Sequence, residues 1–175
     1  MPDNLYLDIY KKAYNNALDL FHEAELLFAQ KAYARAYALA YTALEEISKS
    51  QFAADVYTGL HTENEFKAFY RDHVRKLEGV QWVHEDANSW PYDLKWVGPD
   101  LDDVVRINPN EPVFPKRQGA LYVDANFSAR AATAPTESVT QNDANEIIRL
   151  VEVAIQRIVE VEFTQGRIGT KGFMK

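Results

Sequence analysis

Two adjacent carboxylates and a lysine, Glu45, Glu46 and Lys49, close a stretch with one other charge: Tyr33-Ala-Arg-Ala-Tyr-Ala-Leu-Ala-Tyr-Thr-Ala-Leu-Glu-Glu-Ile-Ser-Lys49. Further along, His73 is followed by Lys76 at helical spacing. Brought together, these five side chains supply two carboxylates, an imidazole and two ammonium groups. Such a set can pass protons or hold an anion, because burial and neighbouring charges move pKa values into a working range. The same residues can equally form a structural charge network that fixes the register of three helices. Either way they require partners, since an isolated buried charge is prohibitively costly. The remaining histidines, His22, His61 and His84, have no ligand spacing, and neither metal nor cofactor is expected. Ser48 and Ser50 have no nucleophile context, and no phosphate-cradling glycine loop is present.

The elements that must position these groups are helical. In the stretch above, Tyr33, Tyr37, Ala40, Leu44, Ile47 and Gln51 form one stripe, while Ala34, Ala38, Tyr41 and Thr42 form a second, mostly small-residue face. A helix apolar on two sides belongs in the middle of a bundle, and alanines admit a neighbouring backbone closely. Glu45 and Lys49 continue the small-residue face. A preceding helix is expected from Leu5 to Gln30, with Tyr6, Tyr10, Ala13, Ala17, Leu20, Ala24 and Leu27 on one side. The brief Gln30-Lys31 link makes the pair an antiparallel hairpin, the second helix running from Ala32 to Tyr57 with Gly59 as its C-terminal cap. A third helix begins at the capping box Thr62-Glu-Asn-Glu65, with Phe66, Phe69, Tyr70, His73, Leu77 and Val80 as its stripe. A last helix spans Thr140 to Thr164, with Ala144, Ile147, Ile148, Val151, Ala154, Ile155 and Ile158 inward.

Between the third and last helices, residues 84–139 hold six of the seven prolines, which exclude one continuous helix. Trp90, Trp96, Phe114, Tyr122 and Phe127 argue against a solvated linker, so an ordered irregular segment lying across the bundle is expected. Only Leu121-Tyr-Val-Asp124 has strand character. Residues 166–175, with Gly166, Gly169, Gly172, Arg167, Lys171 and Lys175, read as a flexible basic tail. The expected organisation is therefore a single domain over residues 1–165: an all-α, up-and-down antiparallel bundle of four to five helices.

Composition narrows the function classes. The chain has 175 residues, 47% hydrophobic and 13% aromatic, enough for one ordinary core. It has no cysteine, which excludes disulfides, thiol catalysis and thiolate zinc sites. No apolar run long enough to span a membrane and no secretory signal are visible, so a cytoplasmic protein is expected. A net charge of −7 argues against a general binder of phosphate backbones while leaving room for a local basic patch.

The segments Ala24-Glu-Leu-Leu27, Tyr33-Ala-Arg-Ala-Tyr37, Ala43-Leu-Glu-Glu-Ile-Ser-Lys49, His73-Val-Arg-Lys76 and Gly119-Ala-Leu-Tyr-Val-Asp124 resemble the AbiV (abortive infection V) family of the HEPN superfamily. The resemblance implies a helical bundle, a homodimer, and a role in defence against phage by shutting down translation, through RNA or a protein partner such as a phage or translation component. It also implies a second possibility, a metal-independent endoribonuclease, and a third, a non-catalytic partner of another toxin or a nucleotidyltransferase. HEPN nucleases use Arg-x(4–6)-His, and Arg35, Arg71 and Arg75 have no histidine at that distance. The nearest substitute is Lys67-x5-His73, and lysine neutralises a phosphate without gripping it bidentately. On this reading His73, Glu45 and Lys49 are the catalytic candidates. His73 would act as general acid or base, and Lys49 or Lys76 would stabilise developing phosphorane charge. Glu46, Lys76, Tyr122 and Asp124 are the binding candidates.

Overall fold

Small side chains decide which helix lies at the centre. In the computed structural model, which describes residues 4–71 and 113–165, the order is α1 (Asn4–Ala29), α2 (Tyr33–Thr58), α3 (Glu63–Arg71), α4 (Val113–Leu121), β1 (Asp124–Asn126), β2 (Ala131–Thr133), α5 (Pro135–Ser138) and α6 (Gln141–Gln165). The expected all-α bundle is present, and α1, α2 and α6 fall within two residues of their sequence-based bounds. Helix α2 touches α1, α3, α4, α5 and α6, and α6 also packs on α1. Ala34, Ala36, Ala38, Ala40, Ala43, Ala53 and Ala54 of α2 are all buried, so its neighbours approach its backbone from several sides.

Two apolar clusters hold the bundle. The larger joins Ala17 and Ala24 of α1, Tyr37, Tyr41, Leu44 and Ile47 of α2, and Ile147, Leu150, Val151, Ala154 and Ile158 of α6, with Ala120 of α4 and Val139 at its edge. The smaller joins Tyr6 and Tyr10 of α1 to Ala53 and Ala54 of α2 and Phe66 of α3. There the Tyr6 and Phe66 rings meet edge to face at 5.4 Å, an arrangement their quadrupoles favour.

The helix ends follow from local chemistry. Thr62 and Glu65 form the expected capping box: the Thr62 N–H donates to Glu65 Oε2 at 2.7 Å and the Glu65 N–H donates to Thr62 Oγ1 at 3.3 Å. Thr140 and Asp143 build the same device at the start of α6. Gly59 ends α2 in the left-handed region (φ 86°), with its N–H donating to Val56 O and the Leu60 N–H to Asp55 O, a Schellman motif. The same motif ends α1, where the Ala32 N–H donates to Leu27 O and the Lys31 N–H to Phe28 O. There a lysine, Lys31, takes the left-handed position (φ 61°).

Residues 113–139, the described part of the expected irregular segment, hold α4, the hairpin and α5. Pro115 sits in the first turn of α4 and Pro135 opens α5, positions where a missing N–H removes no helical bond. The prolines therefore start helices here rather than prevent them. The strand also falls later than Leu121-Tyr-Val-Asp124 suggests. The Tyr122 N–H still donates to Gln118 O, so the helical turn runs through Leu121, and β1 begins at Asp124. Strand β1 pairs antiparallel with β2 in the register Asp124 to Thr133, Ala125 to Ala132 and Asn126 to Ala131.

The two left-handed helix caps make opposite predictions. A Cβ at Gly59 meets no atom within 4 Å, so only backbone strain opposes it. Gly59→Ala is expected to lower unfolding free energy by about 1–2 kcal/mol. Lys31→Gly is expected to raise it by up to about 1 kcal/mol, the relief of strain being partly offset by a more flexible unfolded chain. Urea denaturation of both variants checks this; a stabilising Gly59→Ala would contradict the capping assignment.

Candidate functional site

The third to fifth turns of α2 carry polar groups into the interior. Tyr41, Glu45 and Ser48 recur along one side of the helix and are 2%, 6% and 4% exposed. Glu45 is neutralised from α4: Arg117 Nη2 lies 3.2 Å from Glu45 Oε2, and Arg117 Nη1 donates to Glu45 Oε1 at 3.3 Å. This two-pronged geometry matches the planar guanidinium to the carboxylate. The guanidinium carbon also lies 5.1 Å from the Tyr41 ring centroid, so the cation is held by a carboxylate and an aromatic face together. Tyr41 Oη, Ser48 Oγ and Arg117 Nε are buried without a hydrogen-bond partner among the described residues. Such orphaned groups cost about 1–3 kcal/mol each. Burial first, and the adjacent Glu45 second, push the Tyr41 phenol far above its usual range, while Arg117 pulls it down; the phenol stays protonated.

Two further pairs flank this centre. Lys49 pairs with Glu46, three residues back on α2, and its ammonium lies 5.5 Å from the Tyr70 ring centroid on α3. Lys116, next to Arg117, pairs with Asp143 of α6. Asp143 thus does two jobs: Oδ1 receives Lys116 and Oδ2 receives the Thr140 N–H and hydroxyl. Burial alone would raise its pKa, but the bonds from Lys116 and Thr140 outweigh it and hold the carboxyl below its usual range.

Of the residues expected to form the site, Glu45, Glu46 and Lys49 occupy adjoining positions on α2 but turn to different partners. His73 and Lys76 lie outside the described residues, so their convergence on the carboxylates is not part of this geometry. Tyr122 is 64% exposed, and the exposed Asp124 accepts from the Ala125 N–H at 2.9 Å; both sit beside the hairpin rather than at the Glu45–Arg117 pair. Arg117 itself escapes sequence reasoning. Its signal was the Lys116-Arg117 dipeptide, two cations in a proline-rich apolar segment, together with the unmet need of Glu45 for a counter-charge. The two described histidines lie elsewhere, His22 exposed on α1 near Glu25 and His61 in the α2–α3 turn with its ring 4.7 Å from that of Phe52. Among the described residues no group of three or more histidine, aspartate or glutamate side chains is placed to hold a metal ion, and no helix is long and apolar enough to cross a membrane.

A family model described as AbiV, of the HEPN type, matches residues 5–156. The chain belongs to the AbiV family of the HEPN superfamily. The AbiV match takes in every described member of the site: Tyr41, Glu45, Glu46, Lys49, Lys116, Arg117 and Asp143. AbiV is an abortive-infection family, and membership places the chain among antiphage defence proteins. No match was found among curated proteins or among solved structures.

Two predictions test the electrostatics of this AbiV protein. Glu45→Gln and Arg117→Met are each expected to destabilise it, and the double variant to lose less than their sum, with a coupling energy of roughly 1–3 kcal/mol in a double-mutant cycle. Strict additivity would mean the pair contributes nothing. Separately, burial pushes the half-buried Asp55 carboxyl up to about 6, with His61 pulling it back in part. A raised carboxyl pKa means that its contribution to stability is complete below the unfolded value near 4 and is lost as pH rises through about 6. Between pH 4 and pH 7.5 the wild type is therefore expected to lose about 2–3 kcal/mol relative to Asp55→Asn. Parallel curves of melting temperature against pH for the two proteins would refute it.

Proposed function

We propose that this AbiV protein defends against phage by engaging a protein partner and arresting translation, without cutting RNA itself. The observation that carries the reading is the state of the basic groups at the α2 site. Arg117 is held by Glu45, Lys49 by Glu46 and Lys116 by Asp143. Binding to a phosphate backbone draws its affinity from lysines and arginines that exchange counterions for phosphates. Here each cation has a carboxylate within the protein that a phosphate would have to displace. The net charge of −7 adds a long-range repulsion to any polyanion. The sequence also holds no Arg-x(4–6)-His. By contrast Tyr122, Val123 and Phe127 expose apolar surface, Phe127 to 90%, of the kind that protein interfaces cover.

The reading places the protein in the cytoplasm with the translation machinery, and as a homodimer on family kinship alone. A monomer mass by light scattering at micromolar concentration would remove the dimer without touching the rest. Added to a cell-free translation extract, the purified protein is expected to suppress protein synthesis while messenger, transfer and ribosomal RNA remain intact on denaturing gels, with or without chelator. Cleavage of RNA that falls on the order of a hundredfold in His73→Asn, at an unchanged melting temperature, would replace this reading by a metal-independent ribonuclease.

A further inference from the structure

The α4–hairpin–α5 region is joined to the bundle in a different way from the long helices. Among the described side chains of α4, residues 116–121, Ala120 alone is buried. From residue 121 to residue 138 no side chain is buried; all six strand residues are exposed, and the next core residue is Val139. Gly119 abuts Ser138 of α5, a contact within the region rather than with the bundle. Ala120 apart, what the described side chains of α4 send across to the long helices is charge. Arg117 enters α2 at Glu45 and Tyr41, and Lys116 meets Asp143 at the first turn of α6.

We propose that residues 116–138 form a flap, latched shut over Tyr41 and Glu45 by the Arg117–Glu45 and Lys116–Asp143 pairs, that opens while α1, α2 and α6 stay folded. Sub-global opening selects regions with few buried apolar contacts, and this is such a region. The closed state also leaves Tyr41 Oη and Arg117 Nε buried without partners. Opening hydrates both atoms, which offsets part of the free energy lost when the pairs separate. The two halves of the latch differ in character. The Lys116 side chain is 36% exposed and salt screens its pair readily, whereas Arg117 and Glu45, at 16% and 8%, feel salt less. Opening would uncover a phenol, a carboxylate and part of the alanine face of the central helix. The proposal concerns the chain alone and stands whether the partner is protein or RNA.

Hydrogen–deuterium exchange of the full chain tests it, read at the α4 amides of residues 117–122 and at interior amides of α1 and α6. In the wild type the α4 amides are expected to be at least tenfold less protected than the interior amides of α1 and α6, and Lys116→Met, Glu45→Gln and 0.5 M sodium chloride are each expected to speed α4 exchange at least tenfold further. Trypsin cleavage after Arg117 should accelerate in parallel. Unchanged α4 protection in all three conditions would overturn the latch. Equal protection of α4, α1 and α6 in the wild type would overturn it too, by showing that the region opens only with the whole bundle. Should Glu45→Gln fail to fold, Lys116→Met and the salt series still decide, because Lys116 lies at the surface and α6 keeps its Thr140–Asp143 cap.

Discussion

Close approach to an alanine-rich helix governs this molecule. When neighbours pack against α2 from several sides, any polar residue on the later turns of that helix is carried inward with it. Glu45 is such a residue, and its burial calls for a counter-charge, while the nearby lysine of α2, Lys49, is paired with Glu46. The demand is met from α4 by Arg117. That pairing, together with Lys116–Asp143 and the buried Ala120, holds α4 on the bundle, and with it the hairpin and α5, which have almost no buried apolar surface of their own. The order of causes runs from small residues to a buried carboxylate to a docked helix.

Much of this order was legible in the residues. The two-sided apolar pattern of α2, the capping box at Thr62 and Glu65 and the glycine cap at Gly59 are local features, each written in a few adjacent positions. So was the oddity of carboxylates in the middle of a packed helix. The partner was not legible, because Glu45 and Arg117 stand 72 positions apart and charge pairing over such a distance leaves no periodicity to read. Helix α4 was hidden for a related reason. Prolines count against a helix interior, yet Pro115 occupies a first turn, where it is tolerated, and sequence alone does not say which case holds until the helix start is known. Lys31 in a left-handed cap position is a further example, since nothing local marks it as glycine marks residue 59.

Membership of the AbiV family and the geometry of the site constrain function from different sides. The family gives the biological setting, phage defence, and says nothing of which atoms act. The geometry speaks to the atoms: Arg117, Lys49 and Lys116 are engaged with Glu45, Glu46 and Asp143. The separation matters because HEPN bundles that cleave RNA and bundles that do not share one architecture, and the architecture alone cannot sort them.

An ion pair is a costly way to hold a helix in place, and an apolar contact of similar volume is often as stable or more so. The reason for one here lies in the surface α4 meets. A face built of alanines offers shallow holes and no ridge deep enough to select one seating over another. Glu45 and Tyr41 supply what that face lacks: one charged point and one aromatic plane, which Arg117 satisfies together in a single position. Lys116 then closes onto Asp143, tying α4 to the first turn of α6 as well as to α2 and fixing its rotation. The apolar core of α1, α2 and α6 holds the bundle together, and the charged pairs give α4 a defined seat upon it.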